Sequence, residues 1–192
     1  MGVVFTGCMH KHRFLILVAM LGLVVVSAAA ARHVVVIRGT NHADVITGTI
    51  SNDLVLAKGG DDAVNTLDGQ DRILAGWGND IVDGGTGNDL IIGGPGDDVL
   101  NGSDGNDRLR GRPGNDNVEG GNGNDRLFGG SGADVVNGGE GNDVLHALAN
   151  DDQVDMLDCG PGQDVIWLNK NESDTYVNCE VIRTLSPTPR GK

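Results

Sequence analysis

Asp44, Asp53, Asp62, Asp71, Asp80, Asp89, Asp98, Asp107, Asp116, Asp125, Asp134, Asp143 and Asp152 follow one another at intervals of nine residues without an insertion. A file of carboxylates at fixed spacing suits one kind of chemistry, the holding of hard cations through oxygen. Two residues before the aspartate stand Gly60, Gly69, Gly78, Gly87, Gly96, Gly105, Gly114, Gly123, Gly132 and Gly141, a column that His42, Ser51 and Asn150 break only at its ends. Two residues after it stands a branched aliphatic, from Ile46 and Val55 through to Leu145 and Val154, and no polar residue interrupts the series. The stretch GGTGNDLIIGGPGDDVLNGSDGNDRLR, residues 84–110, writes this unit three times.

The elements that must carry these groups follow from residue type. Glycine enters positive φ without steric cost, and Asn and Asp tolerate it, so G-x-G-N-D reads as a tight turn. The triplets between turns, such as Leu90-Ile91-Ile92, are β-formers too short to stand alone. They become stable when stacked on copies of themselves, with the middle aliphatic pointing inward. The residue before the aspartate alternates between Asn52, Gln70, Asn88, Asn106, Asn124, Asn142 and Ala43, Asp61, Asn79, Asp97, Asn115, Ala133, Asp151. The residue after the inward aliphatic splits in the same way, Thr47, Asn65, Asp83, Asn101, Glu119 against Leu56, Leu74, Ile92, Arg110, Phe128. The true period is therefore eighteen residues. The expected fold is all-β, a right-handed parallel β-roll of two nonapeptides per coil and about 30 Å in length at about 4.8 Å per layer.

Read from Gly84, the unit GGTGNDLII resembles the RTX, or hemolysin-type calcium-binding, nonapeptide G-G-x-G-x-D-x-U-x, in which U is a large aliphatic. The resemblance covers residues 39–155 and is sharpest from Gly76 to Asp143. It implies several Ca²⁺ ions held between adjacent turns by the aspartates and the glycine-turn carbonyls. Residue chemistry points the same way. Carboxylates eighteen residues apart sit one layer apart, where they repel or raise one another's pKa until a cation removes the conflict. Calcium takes six to eight oxygen ligands in flexible geometry. The repeats offer no cysteine, and His42 and His146 are isolated, which disfavours zinc and copper. The expected metal residues are Asp62, Asp71, Asp80, Asp89, Asp98, Asp107, Asp116, Asp125, Asp134 and Asp143, with Gly78, Gly87, Gly96, Gly105, Gly114, Gly123, Gly132 and Gly141. At Asp44, Asp53 and Asp152 the turn glycines are missing, and binding and mere scaffold stay open.

The chain of 192 residues carries a net charge of −13 with 3% aromatics, a composition close to that of disordered chains unless cations supply what the core lacks. Basic patches of the kind that bind nucleic acid are missing from the sequence. Lys11, His12 and Arg13 precede an apolar run from Phe14 to Val26 and then Ser27 and four alanines, which reads as a secretory signal peptide over residues 1–31 with cleavage after Ala29 or Ala31. Met9 is an alternative start. Cleavage would leave −15, since residues 1–31 hold Lys11 and Arg13 and no acid. The run is too short for a comfortable membrane span, so the expected product is secreted and extracellular, with no stable membrane insertion.

Of three cysteines only Cys159 and Cys179 would survive, an even pair in an oxidising compartment and hence a disulfide. The sequence divides into a β-roll over 32–155, a cap over 156–185 that begins with a shifted unit around Asp164, and a disordered tail over 186–192. The DCGPG…CE ending resembles the termini of secreted actinobacterial calcium-binding repeat proteins, whereas a typical RTX toxin lacks an N-terminal signal. Three roles are open: a secreted calcium-binding scaffold, an adhesin or surface-interaction module, and an accessory fragment of a secreted enzyme. The last is disfavoured because the residues outside the repeats hold no Ser/His/Asp set. One outer face is expected to present Leu54, Leu56, Leu74, Leu90, Ile92, Phe128 and Val144 with Arg72, Arg108, Arg110 and Arg126, a stripe suited to self-association or cell-surface contact.

Overall fold

The computed structural model describes residues 23–25, 34–147, 153–169 and 173–185. They form two nine-stranded parallel sheets. The odd sheet runs β1 (Leu23–Val25), β3 (Val45–Thr47), β5 (Ala63–Asn65), β7 (Ile81–Asp83), β9 (Val99–Asp104), β11 (Asn117–Asn122), β13 (Val135–Glu140), β15 (Met156–Asp158), β17 (Thr175–Val177). The even sheet runs β2 (Val35–Arg38), β4 (Asp53–Gly59), β6 (Arg72–Trp77), β8 (Leu90–Ile92), β10 (Arg108–Pro113), β12 (Arg126–Ser131), β14 (Val144–Ala147), β16 (Val165–Asn169), β18 (Val181–Leu185). The chain alternates between sheets at every turn, and this makes a β-solenoid of the expected roll type. From β2 through β14 partners stand eighteen residues apart, as in Ile73↔Ile91 and Leu109↔Leu127.

The register follows from the side chains. In the triplets β3, β5, β7, β8 and β15 the middle residue is buried and its neighbours face outward. The inward residues make two files, Ile37, Val55, Ile73, Ile91, Leu109, Leu127, Leu145, Ile166 on the even sheet and Ile46, Val64, Val82, Leu100, Val118, Val136, Leu157 on the odd sheet. Two such side chains per coil of eighteen residues is a thin core. The turns must hold the rest.

Two outcomes differ from the sequence expectation. After β14 the register lengthens: Val144 pairs with Val165 and Val135 with Met156, each twenty-one residues on. Asp155 and Leu157 therefore take the buried places, and Val154 is exposed; Asp152 lies outside the described residues. Three extra residues between β14 and β15 shift the next layer while leaving the strands in step, and the last layer is spaced by nineteen (Met156↔Thr175) and sixteen (Val165↔Val181). Residues of the expected cap thus continue the same sheets, closed by the Cys159–Cys179 disulfide. The second difference is on the surface. Leu54, Leu56, Leu90, Ile92, Phe128 and Val144 are half-buried, because side chains in a parallel file lean on the layers either side, and of that stripe's apolar members only Leu74 is exposed. A more exposed aliphatic file lies on the odd sheet.

Of the apolar N-terminal run, Leu23–Val25 pairs with Val45–Thr47 as β1. The cleavage positions Ala29 and Ala31, both start residues and the tail lie outside the described residues.

Candidate metal centre

From Asp44 to Asp143 each aspartate of the nine-residue column closes one turn and is buried. From Asp62 onward its Oδ1 accepts a hydrogen bond from the backbone N–H of the aspartate one layer earlier: Asp62 to Asp80 at 2.8 Å, Asp71 to Asp89 at 2.7 Å, Asp80 to Asp98 at 2.9 Å, Asp98 to Asp116 at 2.9 Å, Asp107 to Asp125 at 2.7 Å. The ladder crosses the insertion, with Asp134 donating to Asp155 and Asp143 to Asp164. On one edge it ends at Asp174 and on the other at Glu180. A second ladder runs the opposite way. Where the layer before offers Asn or Asp, the residue before the aspartate donates its N–H to that side-chain oxygen, as Asn106 does to Asn88 and Asn124 to Asn106. This explains the Asn and Asp at that position: each supplies the acceptor the next layer needs.

One carboxylate oxygen remains. Oδ2 of Asp62, Asp71, Asp80, Asp89, Asp98, Asp107, Asp116, Asp125, Asp143 and Asp164 is buried and has no hydrogen-bond partner. An unsatisfied buried carboxylate oxygen is costly, and its repetition in ten turns marks a place suited to a cation or a proton rather than a defect.

The turns fall into three kinds. At Asp44 and Asp53 the residue four positions earlier is threonine, and it closes the turn on the carboxylate. Thr49 donates its N–H to Asp53 Oδ2 at 2.7 Å and its hydroxyl to Oδ1 at 3.0 Å, and Thr40 does the same for Asp44 Oδ2. From Lys58 onward that position has positive φ, whether glycine or not, with Lys58 at 86°, Leu67 at 70°, Ser103 at 74° and Arg112 at 94°. In these left-handed turns Oδ2 of Asp62, Asp71, Asp80, Asp89, Asp98, Asp107, Asp116, Asp125 and Asp143 is left without a donor.

The second and third kinds differ five positions before the aspartate. There Gly84, Gly93, Gly102, Gly111, Gly120, Gly129 and Gly138 leave a cradle beside Oδ2 that a side chain would fill: a Cβ on Gly84 would stand 2.7 Å from Asp89 Oδ2 and one on Gly138 2.6 Å from Asp143 Oδ2. Before Asp62, Asp71 and Asp80 the same place holds Ala57, Thr66 and Ala75. A further oxygen comes from the backbone. It is the carbonyl of the cradle glycine one layer on: a Cβ on Gly93 would meet the Gly111 carbonyl oxygen at 3.0 Å and one on Gly102 that of Gly120 at 2.5 Å, whereas the carbonyls of Gly69, Gly78, Gly87, Gly96, Gly105, Gly114 and Gly123 lie against the turn glycines one layer on.

The electrostatics match an ion site. Burial pushes Asp71, Asp98, Asp107 and Asp116 up to about 7 and Asp62, Asp89 and Asp143 up to about 6. The backbone hydrogen bond to Oδ1 works against the rise, and carboxylates one layer away add to it, as Asp89 and Asp125 do for Asp107. Repulsion between layers is thus present, but desolvation is the larger cause. Among the described residues no three carboxylate, imidazole or thiol groups converge. A cation here must be one that accepts few carboxylates and several carbonyls, and hard oxygen-seeking calcium fits that donor set.

All ten expected aspartates lie in the ladders, and the expected glycines line the turns. Sequence reasoning missed the glycine five positions earlier and the closing threonines. The first was visible as the opening glycine of GGTGNDLII, and the second as the column's only two threonines four residues before an aspartate.

A family model described as the RTX calcium-binding nonapeptide repeat matches residues 38–73, 56–91, 74–109, 92–127 and 119–154. No curated protein matches the chain.

Proposed function

Because the chain belongs to the RTX calcium-binding nonapeptide repeat family, we propose that it is a secreted scaffold whose glycine turns take up a file of calcium ions along each edge, and that these ions fold and stabilise the roll. The observation that carries this reading is the pairing of a buried, partnerless Oδ2 with a glycine cradle at Asp89, Asp98, Asp107, Asp116, Asp125 and Asp143. Bound calcium supplies the positive charge that these oxygens lack. The chain's own residues do the remaining work: the Oδ1 ladder fixes each carboxylate, the left-handed turn withdraws the competing N–H, and the glycine keeps the cradle clear. Asp134 shares the glycine arrangement, and Asp44 and Asp53 are scaffold. Secretion is supported by the basic-then-apolar N-terminus and by the disulfide, which belongs in an oxidising compartment. The family is a structural repeat, and no catalytic role is proposed.

Calcium titration of the full chain, followed by far-ultraviolet circular dichroism, tests the reading. Strand signal should vanish on chelation and return with calcium. A spectrum indifferent to chelator would refute it.

A second role, contact with another surface through the Leu/Arg face, is favoured by charge placement. Every Lys and Arg among the described residues, Arg38, Lys58, Arg72, Arg108, Arg110, Arg112, Arg126 and Arg183, lies on a strand of the even sheet. The calcium edges would then be structural and the face the working surface.

A further inference from the structure

We propose that the surface contacted by the even sheet is the odd sheet of a second copy of this chain, so that rolls stack face on face in a head-to-tail series. The inference rests on the surface-contact reading above and names its partner.

The two faces are opposite in charge. On the even sheet's strands the sole acid is the buried Asp53. The odd sheet's described strands carry no Lys or Arg, and they present Asp83, Glu119 and Asp158 in one column and Asp104 and Glu140 in another. Such segregation on a chain of net charge −13 is charge complementarity within one molecule, and it can be satisfied only between two.

The apolar groups are divided as well. The odd sheet exposes Val45 (51%), Ile81 (59%), Val99 (43%), Val135 (40%) and Met156 (55%) in one column, on β3, β7, β9, β13 and β15, with Ala63 and Asn117 at the positions between. A polyanion bound to the arginines would explain the even face and leave this file uncovered. A second copy covers both.

The even face is also fixed in advance. Phe128 and His146 stack with centroids 4.2 Å apart and planes 5° from parallel, and Trp167 continues the stack. Arg110 lies 5.1 Å from the Phe128 centroid at one end and Arg183 5.1 Å from that of Trp167 at the other. Rings stacked along the file turn their edges outward and have little rotamer freedom left to lose on contact. Both faces repeat once per coil, so ladders on two copies keep step along their length. Joining unlike faces leaves one of each free, and the series does not close.

Sedimentation velocity at saturating calcium tests this with two double variants, Arg108→Glu with Arg126→Glu on the even face, and Glu119→Lys with Glu140→Lys on the odd face. Circular dichroism confirms that each folds. The parent should show fast-sedimenting species that rise with concentration and recede with salt. Each variant alone should lose them, and an equimolar mixture should regain them. If the even-face variant is monomeric while the odd-face variant still associates, like faces pair: the surface-contact reading stands and the head-to-tail inference falls. A parent that stays monomeric at every concentration overturns self-association by either route. Should a charge variant fail to fold, Ile81→Thr with Val99→Thr takes the place of the odd-face pair, and unchanged association there also overturns the inference.

Discussion

Asp89 donates its backbone N–H to Oδ1 of Asp107 at 2.7 Å, while Oδ2 of the same Asp107 carboxylate is buried without a partner. One side chain thus divides its two oxygens between the backbone ladder and the ion cradle. Asp107→Asn should keep the ladder bond and lose the ion, whereas Asp107→Ala should lose both and cost about 1–3 kcal/mol more for the stranded N–H. Native mass spectrometry for ion count and urea melts at saturating calcium check the two effects separately. Equal stability of the two variants would contradict the division.

The closed turns at Asp44 and Asp53 should be indifferent to calcium. Thr49→Val should lower stability by about 1 kcal/mol through the lost hydroxyl bond without changing the ion count. Gly93→Ala, which puts a methyl against Asp98 Oδ2, should remove ions while leaving the threonine-closed layers intact. Ion counts by the same method decide between them.

Acidity should replace calcium in part. Asp71, Asp98, Asp107 and Asp116 are raised to about 7, and Asp62, Asp89 and Asp143 to about 6, from an ordinary 3.8. Between these values the folded chain holds more protons than the unfolded one, so stability falls as pH rises. In calcium-stripped protein the strand signal should be greatest below about pH 4 and should fade as pH climbs through 6 to 7. With calcium present, affinity should rise over the same window and binding should release protons. Strand signal that grows with pH in stripped protein would reverse the assignment.

Leu67 holds φ of 70° at a position that most turns give to glycine, and its side chain is exposed. Leu67→Gly should therefore stabilise the roll, by about 1 kcal/mol, through relief of the left-handed strain. Thermal melts at fixed calcium measure it.

The fold was legible because a solenoid has no long-range puzzle: each layer repeats its neighbour, so the columns of Asp98, Gly96 and Leu100 in the sequence are columns in space. The alternation at Asn88 and Asp97 gave the coil its length. What escaped were features that depend on one dihedral or one insertion. The sign of φ at Thr49 or Leu67 decides whether a turn closes on its own aspartate, and both residues sit in the same repeat position. The substitution of Asp155 for Asp152 turns on where three extra residues are placed. The stack of Phe128, His146 and Trp167 crosses that insertion and so has no constant spacing to betray it.

The threonine-closed turns lie at one end of the roll and the Cys159–Cys179 bond at the other, with the seven glycine cradles between them. Pulled from its ends, such a molecule has two firm grips and a middle whose cohesion is borrowed from solution. The free calcium of the surroundings would then set the force at which it lengthens: a stiff strut where the ion is plentiful, and a soft spring where it is scarce.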